Sequence, residues 1–298
     1  MEKTPLYKKY ASSFEKLGKL SHAAAKIDET NVYQVANPET RKIMDMLVED
    51  NTLPESHLEG IENFEKFYDL VQSGKSGLIL MEHYSNTDLP SFCYMLEKSG
   101  NPKVADLSKR IVAIAGMKLN EADPTVRAFA ESFTRVVIYP TRSLDKKEAD
   151  AATEEEAKAE EQKARKINMA AMRAMTECKK RGEVILVFPS GTRYRPGHPE
   201  TKRGLKEIDS YLRLFDVVLL VTINGSILEI QDENMLNDLC APAVTIFGAH
   251  EVIECKPFRD QYLASLPADE SNPKQKMIDH VMELLEKQHN EIESKKNG

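Results

Sequence analysis

The spacing of apolar positions changes near residue 74. Before that point they recur every three to four residues. Phe14, Leu17, Leu20 and Ala24 share one helical stripe, and Ile43, Met46 and Leu47 share another. Within 58–71, Ile61, Phe64, Tyr68 and Val71 make a third. Gly74 and Gly77 close this region, so residues 1–73 are expected to be a helical N-terminal unit. From residue 77 the pattern becomes one of short continuous apolar runs, at 77–81, 111–115, 136–139, 184–188 and 217–223. Further strand-like pieces lie at 227–230 and 244–247. Runs of this length separated by helical stretches read as buried strands. They predict an α/β domain over 74–298, with a mainly parallel central sheet flanked by helices. Met277, Val281, Leu284 and Leu285 mark a last helix over about 273–293.

Residues 145–181 differ from their surroundings: rich in Ala, Glu and Lys, without Gly or Pro. Thr153 and Glu156 have the spacing of a capping box. The segment starts acidic and ends on Lys179, Lys180 and Arg181, which suits a helix dipole. Glu154/Lys158, Glu161/Arg165 and Glu177/Arg181 are pairs of favourable order. Ile167, Ala171, Ala174, Met175 and Cys178 form its apolar stripe. The second half is therefore expected to pack and the first half to be solvated.

Composition narrows the function classes. The 298 residues are 41% hydrophobic and 30% charged, with 13 Gly and 14 Pro, which excludes a disordered or collagen-like chain. A net charge of -7 argues against a nucleic-acid-coating protein. Cys93, Cys178, Cys240 and Cys255 are widely spaced, so free thiols are expected and no zinc site is signalled. The first ten residues lack the apolar core of a secretory leader. The longest apolar run, 215–223, contains Asp216 and Thr222. A spanning helix needs about 20 apolar residues, so no membrane span is expected.

Three strand ends carry candidate chemistry. His83 and Asp88 follow the run 77–81, where ligands bind in an open α/β sheet. Asp88 can hold one imidazole nitrogen and leave the other to take a proton. Equally, Asp88 can cap a helix that has Pro90 in its first turn. The run 184–188 leads into Pro189-Ser190-Gly191-Thr192-Arg193-Tyr194-Arg195-Pro196, a turn carrying two arginines suited to phosphate oxygens. Lys202 and Arg203 add cations at the expected start of the next helix; a solvated basic loop is the alternative. The third strand end carries Thr141-Arg142-Ser143. Gly74-Lys75-Ser76 looks like the end of a P-loop, but Asp69 stands where its first glycine belongs and a strand follows it, so nucleotide hydrolysis is rejected. The remaining histidines, His22, His57, His198, His250, His280 and His289, lack ligand spacing and read as structural or exposed.

The pairing of His83-x4-Asp88 with Phe188-Pro189-Ser190-Gly191-Thr192-Arg193, followed by Lys202-Arg203-Gly204, resembles the glycerolipid acyltransferases of the His-x4-Asp type. The resemblance covers roughly residues 75–225. Within that family the chain looks most like the soluble, plastid-type glycerol-3-phosphate acyltransferases, which carry Pro-Ser-Gly-Gly-Arg-x-Arg-Pro. Pro189, Ser190, Gly191, Arg193, Arg195 and Pro196 match, and Thr192 replaces the second glycine. Membrane-bound relatives usually have Glu where Ser190 stands. Thr141-Arg142-Ser143 occupies the place of a Lys-Lys-His run of the soluble branch.

The resemblance implies transfer of an acyl group from coenzyme A or acyl carrier protein to the sn-1 hydroxyl of glycerol 3-phosphate. His83 would be the general base and Asp88 its partner. Arg142, Arg193 and Arg195 would hold the phosphate, with Ser190, Gly191 and Lys202 in support. No metal and no cofactor beyond the thioester co-substrate is implied. An acidic carrier protein would dock on basic residues, for which Lys179, Lys180, Arg181, Lys202 and Arg203 are candidates. The implied setting is a soluble compartment, cytoplasmic or stroma-like, with peripheral membrane contact. Two other readings share these residues: 1-acylglycerol-3-phosphate as acceptor, and a non-catalytic phosphate- or lipid-binding protein with a relic site.

Overall fold

The computed structural model describes residues 3–121, 124–150, 153–231 and 235–296. Met1 and Glu2, where the N-terminal reading begins, and residues 151–152 within the Ala/Glu/Lys-rich segment lie outside the described residues. The chain divides into two units. The first comprises residues 1–10, 45–111 and 182–298, and the second residues 11–44 and 112–181. The first 73 residues thus contribute to both.

The first unit is built on a mixed sheet. Its strands are β1 (His57–Glu59), β2 (Gly77–Met81), β3 (Val184–Val187), β4 (Val217–Asn224), β5 (Ile246–Ala249) and β6 (Ile253–Glu254). β2 lies between β3 and β4 and runs parallel to both, with Ile79 opposite Leu186 on one side and Leu219 on the other. β5 and β6 pair antiparallel with β4, and β1 joins β5 in parallel. Every residue of β2, β3 and β4 is buried, which is why these strands read as unbroken apolar runs. Parallel pairing brings the carboxyl ends of β2 and β3 to the same edge, so the loops that follow them are neighbours.

Helices α1 (Ile61–Gln72), α2 (Asp88–Glu97), α3 (Pro102–Arg110), α4 (Ile208–Leu214), α5 (Cys255–Ser265) and α6 (Pro273–Lys296) belong to this unit. α6 buries Met277, Ile278, Val281, Leu285 and Ile292 along one stripe. Two glycines admit it closely. A Cβ at Gly204 would lie 2.4 Å from Ile278 Cγ2, and one at Gly248 would lie 2.0 Å from Ile292 Cδ1 and 2.8 Å from Thr222 Oγ1. Gly248→Ala is therefore expected to destabilise the fold by about 1–3 kcal/mol through overpacking. The check is the denaturant midpoint of the purified variant.

In the second unit, Ile111–Gly116 pairs in parallel with Arg135–Ile138, which pairs antiparallel with Tyr33–Gln34. Ile27, Val32, Met117, Val137, Tyr139, Ala164 and Ile167 form its core. The helix Glu154–Lys180 starts at Thr153, whose hydroxyl accepts from the Glu156 amide at 3.2 Å. Its buried residues are Ala164, Ile167, Ala171, Met175 and Cys178: the predicted stripe is extended by Ala164, and Ala174 is only partly buried. Glu154 meets Lys158 at 3.6 Å, and Glu177 meets Lys180 at 2.7 Å, one residue short of the predicted Arg181. The Arg181 guanidinium lies over the Tyr33 ring.

The helical reading of residues 1–73 needs correction at three points: Thr4–Pro5, Tyr33–Gln34 and His57–Glu59 are strands. Two or three residues are too few to show a period, and these exist because a partner strand completes them. The helix Ala11–Leu20 also ends before Ala24. Met44, Leu47 and Val48 are buried where Ile43, Met46 and Leu47 were expected, and Met46 is exposed. Phe67 takes the buried place expected for Tyr68, whose hydroxyl instead donates to Asp106. The strand expected at 244–247 is shifted to Ile246–Ala249, because Gly248 interrupts the apolar run that a strand there should show. Among the described residues no helix is long and apolar enough to cross a membrane.

Candidate active site

The site forms at the carboxyl ends of β2 and β3. After Met81 the chain leaves the sheet as Glu82-His83-Tyr84-Ser85-Asn86-Thr87 and enters α2 at Asp88. The Asp88 carboxylate turns back towards this loop. Its Oδ2 accepts from Tyr84 N at 2.6 Å, Ser85 N at 2.8 Å and His83 Nδ1 at 2.9 Å, and its Oδ1 accepts from Ser85 Oγ at 2.8 Å. The capping alternative is therefore corrected. The N-cap position belongs to Thr87, and the Asp88 side chain serves the loop before the helix. Asp88 is nearly sealed from water while the His83 side chain keeps 17% exposure. An acceptor facing Nδ1 makes that nitrogen the donor, so in the neutral ring Nε2 carries the lone pair. The His83 ring lies flat against Phe188, with centroids 3.9 Å apart and planes 16° apart. Ring orientation and tautomer are thus both set by neighbours.

The loop after β3 is held by its own turn. Ser190, buried, donates from Oγ to Thr192 O at 2.7 Å. Gly191 has φ +62, a conformation that favours glycine, and its amide donates to Phe188 O at 2.9 Å. A Cβ at Gly191 would lie 2.5 Å from Leu205 Cδ1. Ser190 and Gly191 thus shape the loop. Tyr194 N donates to His83 O at 2.7 Å, tying the two loops by their backbones. Between them is a small cleft lined by His83, Tyr84, Pro189, Ser190, Tyr194 and Lys202, among others.

The cations behave differently from one another. Arg193 Nη1 donates to Asp238 Oδ2 at 2.8 Å; Asp238 has no exposure and Arg193 little. The Arg195 amide donates to Thr201 Oγ1 at 2.9 Å, and its side chain is half-buried. Lys202 closes a 3₁₀ turn, Pro199–Lys202, and does not open the next helix, which starts at Ile208. Its ammonium lies 5.0 Å from the Tyr194 ring centre and 3.8 Å from Glu286 of α6. Arg142 belongs to the second unit, exposed in the first turn of the helix Thr141–Ala149.

Spacing in the sequence did not reveal that Glu82 and Tyr84, the residues flanking His83, meet His289. Glu82 is buried beside His83 and accepts from Ile223 N at 2.8 Å, Tyr84 OH at 3.0 Å and His289 Nδ1 at 2.9 Å. His289, read as structural or exposed, comes from α6. Its only sequence signal is a position four residues after Leu285, at the edge of the apolar stripe. Burial and the Glu82 charge push the Tyr84 phenol far above its usual range, which keeps it a donor.

The four cysteines are free and buried, and burial pushes the Cys255 thiol up to about 12. Among the described residues no group of His, Cys, Asp or Glu is arranged to hold a metal ion.

An imidazole held by a carboxylate at a strand end, beside a basic turn, is equipped for proton removal from a hydroxyl. The sequence matches the Acyltransferase family over residues 55–218, more than half of the chain, and the protein belongs to that family. The matched span contains both the His83–Asp88 loop and the whole of the arginine turn. A search of curated proteins finds no match to the chain.

Proposed function

We propose that the protein transfers an acyl group from a coenzyme A or acyl carrier protein thioester to the sn-1 hydroxyl of glycerol 3-phosphate. The observation that carries this reading is the His83–Asp88 pair, with the arginine turn fastened to His83 through Tyr194. A glycerol hydroxyl is a poor nucleophile at neutral pH. His83 Nε2 takes its proton as the oxygen attacks the thioester carbonyl. Asp88 holds the reactive tautomer and stabilises the imidazolium that forms. The tetrahedral intermediate collapses with loss of the thiolate, which recovers the proton from His83. No acyl-enzyme is required, because the acceptor hydroxyl is itself the nucleophile.

The phosphate supplies orientation. Arg195 and the edge of Arg193 turned away from Asp238 are the cations proposed to grip it, with Lys202 at the rim. Arg195→Ser should raise the acceptor KM and leave the donor KM nearly unchanged. A charge-assisted contact contributes about 1.5–3 kcal/mol, which is roughly tenfold to over a hundredfold in affinity. A change confined to the donor would remove the turn from the acceptor site. The deciding assay offers glycerol 3-phosphate, 1-acylglycerol 3-phosphate and glycerol to the purified protein, with acyl-CoA and acyl carrier protein thioesters as donors. Preferential use of glycerol 3-phosphate supports the reading. Preferential use of the 1-acylated acceptor replaces it with the second acylation. Absence of transfer with every combination overturns it.

A further inference from the structure

We propose that His289 is a positioning residue for His83, acting through the buried carboxylate of Glu82. The proposal rests on the reading of His83 as the base, and the reasoning begins with the burial of Glu82. Glu82 precedes His83 in the chain and retains 7% side-chain exposure, against 22% for His289. A carboxylate so placed needs donors on both oxygens. Oε1 accepts from the Tyr84 hydroxyl, and Oε2 accepts from Ile223 N of β4 and from His289 Nδ1 of α6. The residues on either side of His83 are thereby bridged by one carboxylate. That bridge is anchored to the sheet by Ile223 and to the C-terminal helix by His289.

Three further observations make His289 a fixed anchor. Its helix approaches the sheet over Gly248, leaving no room for a shift of Ile292 towards β5. Asn224, the last residue of β4, donates to His289 O at 3.1 Å and to Glu293 Oε2 at 2.9 Å. The His289 ring centre lies 5.8 Å from that of Tyr84, which in turn packs edge-on against Tyr194 at 5.9 Å. Tyr194 is the residue whose amide holds His83 O. Loss of His289 removes the charge-assisted donor from Glu82 and frees Tyr84 from one side. His83 then keeps Asp88 and its backbone bond to Tyr194, while the residues flanking it lose their tie to α6.

The test compares His289→Ala with His289→Asn in the full-length protein. The Asn amide nitrogen stands the same number of bonds from Cα as Nδ1 and can donate to Glu82. Acyl transfer should fall about fivefold to thirtyfold in kcat for His289→Ala, with acceptor and donor KM within about twofold. His289→Asn should recover most of the loss. A second readout needs no turnover: the imidazole Nδ1–H proton of His83, hydrogen-bonded to Asp88, observed by NMR. It should be sharp in the native protein and in His289→Asn, and broadened in His289→Ala. A folded His289→Ala protein with native kcat and a sharp proton signal overturns the proposal. So does equal loss in His289→Asn and His289→Ala, which would mark a packing role. If the native protein transfers no acyl group, the proposed function fails, and the NMR comparison still decides whether His289 positions His83.

Discussion

Alanine at position 83 should lower acyl transfer by at least about 10²-fold, the usual contribution of a general base. The protein should stay folded, since the His83 ring lies at a strand end against Phe188, outside the packed interior of the sheet. The larger information comes from Asp88→Asn. Asp88 accepts from Tyr84 N, Ser85 N, Ser85 Oγ and His83 Nδ1. Asparagine has one acceptor oxygen, and its amide group donates. An Asn at this place can keep its oxygen towards Tyr84 N, Ser85 N and His83 Nδ1 and turn its amide nitrogen to the Ser85 hydroxyl, so the shape is kept and the negative charge is lost. The imidazole then keeps an acceptor at Nδ1 but loses the charge that stabilises its protonated form. A loss in kcat comparable to that of His83→Ala is expected, with circular dichroism unchanged. If Asp88 were a helix cap, Asn would serve nearly as well. Near-native turnover in Asp88→Asn would therefore remove the carboxylate from the mechanism, and near-native turnover in His83→Ala would remove the base.

The sequence displayed the parts of this site that depend on local order. β2, β3 and β4 are buried throughout, so each left a continuous apolar run, and the runs of β2 and β3 ended where the His83 loop and the arginine turn began. His83 and Asp88 are close because a tight loop joins a strand to a helix, and a five-residue spacing shows that directly. Thr153 capping a long helix is local in the same way.

What stayed hidden depends on contacts between residues far apart in the chain. Glu82 and His289 meet only because α6 lies across the sheet. A glutamate beside a catalytic motif and a histidine on an amphipathic helix each have ordinary explanations when read alone. The short strands at Tyr33–Gln34 and His57–Glu59 are similarly invisible, since their pairing partners lie elsewhere. Arg193 illustrates the limit of motif reading. Its place in the turn marked a phosphate ligand, while its contact with Asp238, 45 residues onward, gives it a second duty.

That second duty changes the expected behaviour of Arg193→Ser. On the motif alone, the substitution should raise the acceptor KM and do little else. Asp238, however, has no exposure, and its Oδ2 receives the Arg193 guanidinium at 2.8 Å. Its Oδ1 accepts from Gln231 N at 3.2 Å, and its backbone oxygen accepts from Leu6 N at 2.8 Å. Removing the guanidinium takes a counter-charge from a carboxylate that water does not reach. Breaking a buried pair in this way costs about 3–5 kcal/mol. Whole-domain stability is about 5–15 kcal/mol, so Arg193→Ser should lower the denaturant midpoint severely. Arg193→Lys keeps the charge and should lose less stability. It still lacks the planar fork that can serve Asp238 and a phosphate together, so its acceptor KM should rise. Adding Asp238→Asn to Arg193→Ser removes the buried negative charge and should restore part of the midpoint. An Arg193→Ser protein with a native midpoint and a raised acceptor KM would show that the phosphate alone needs this arginine. A lowered midpoint with acceptor KM unchanged in Arg193→Lys would leave Arg193 to the fold and Arg195 to the substrate.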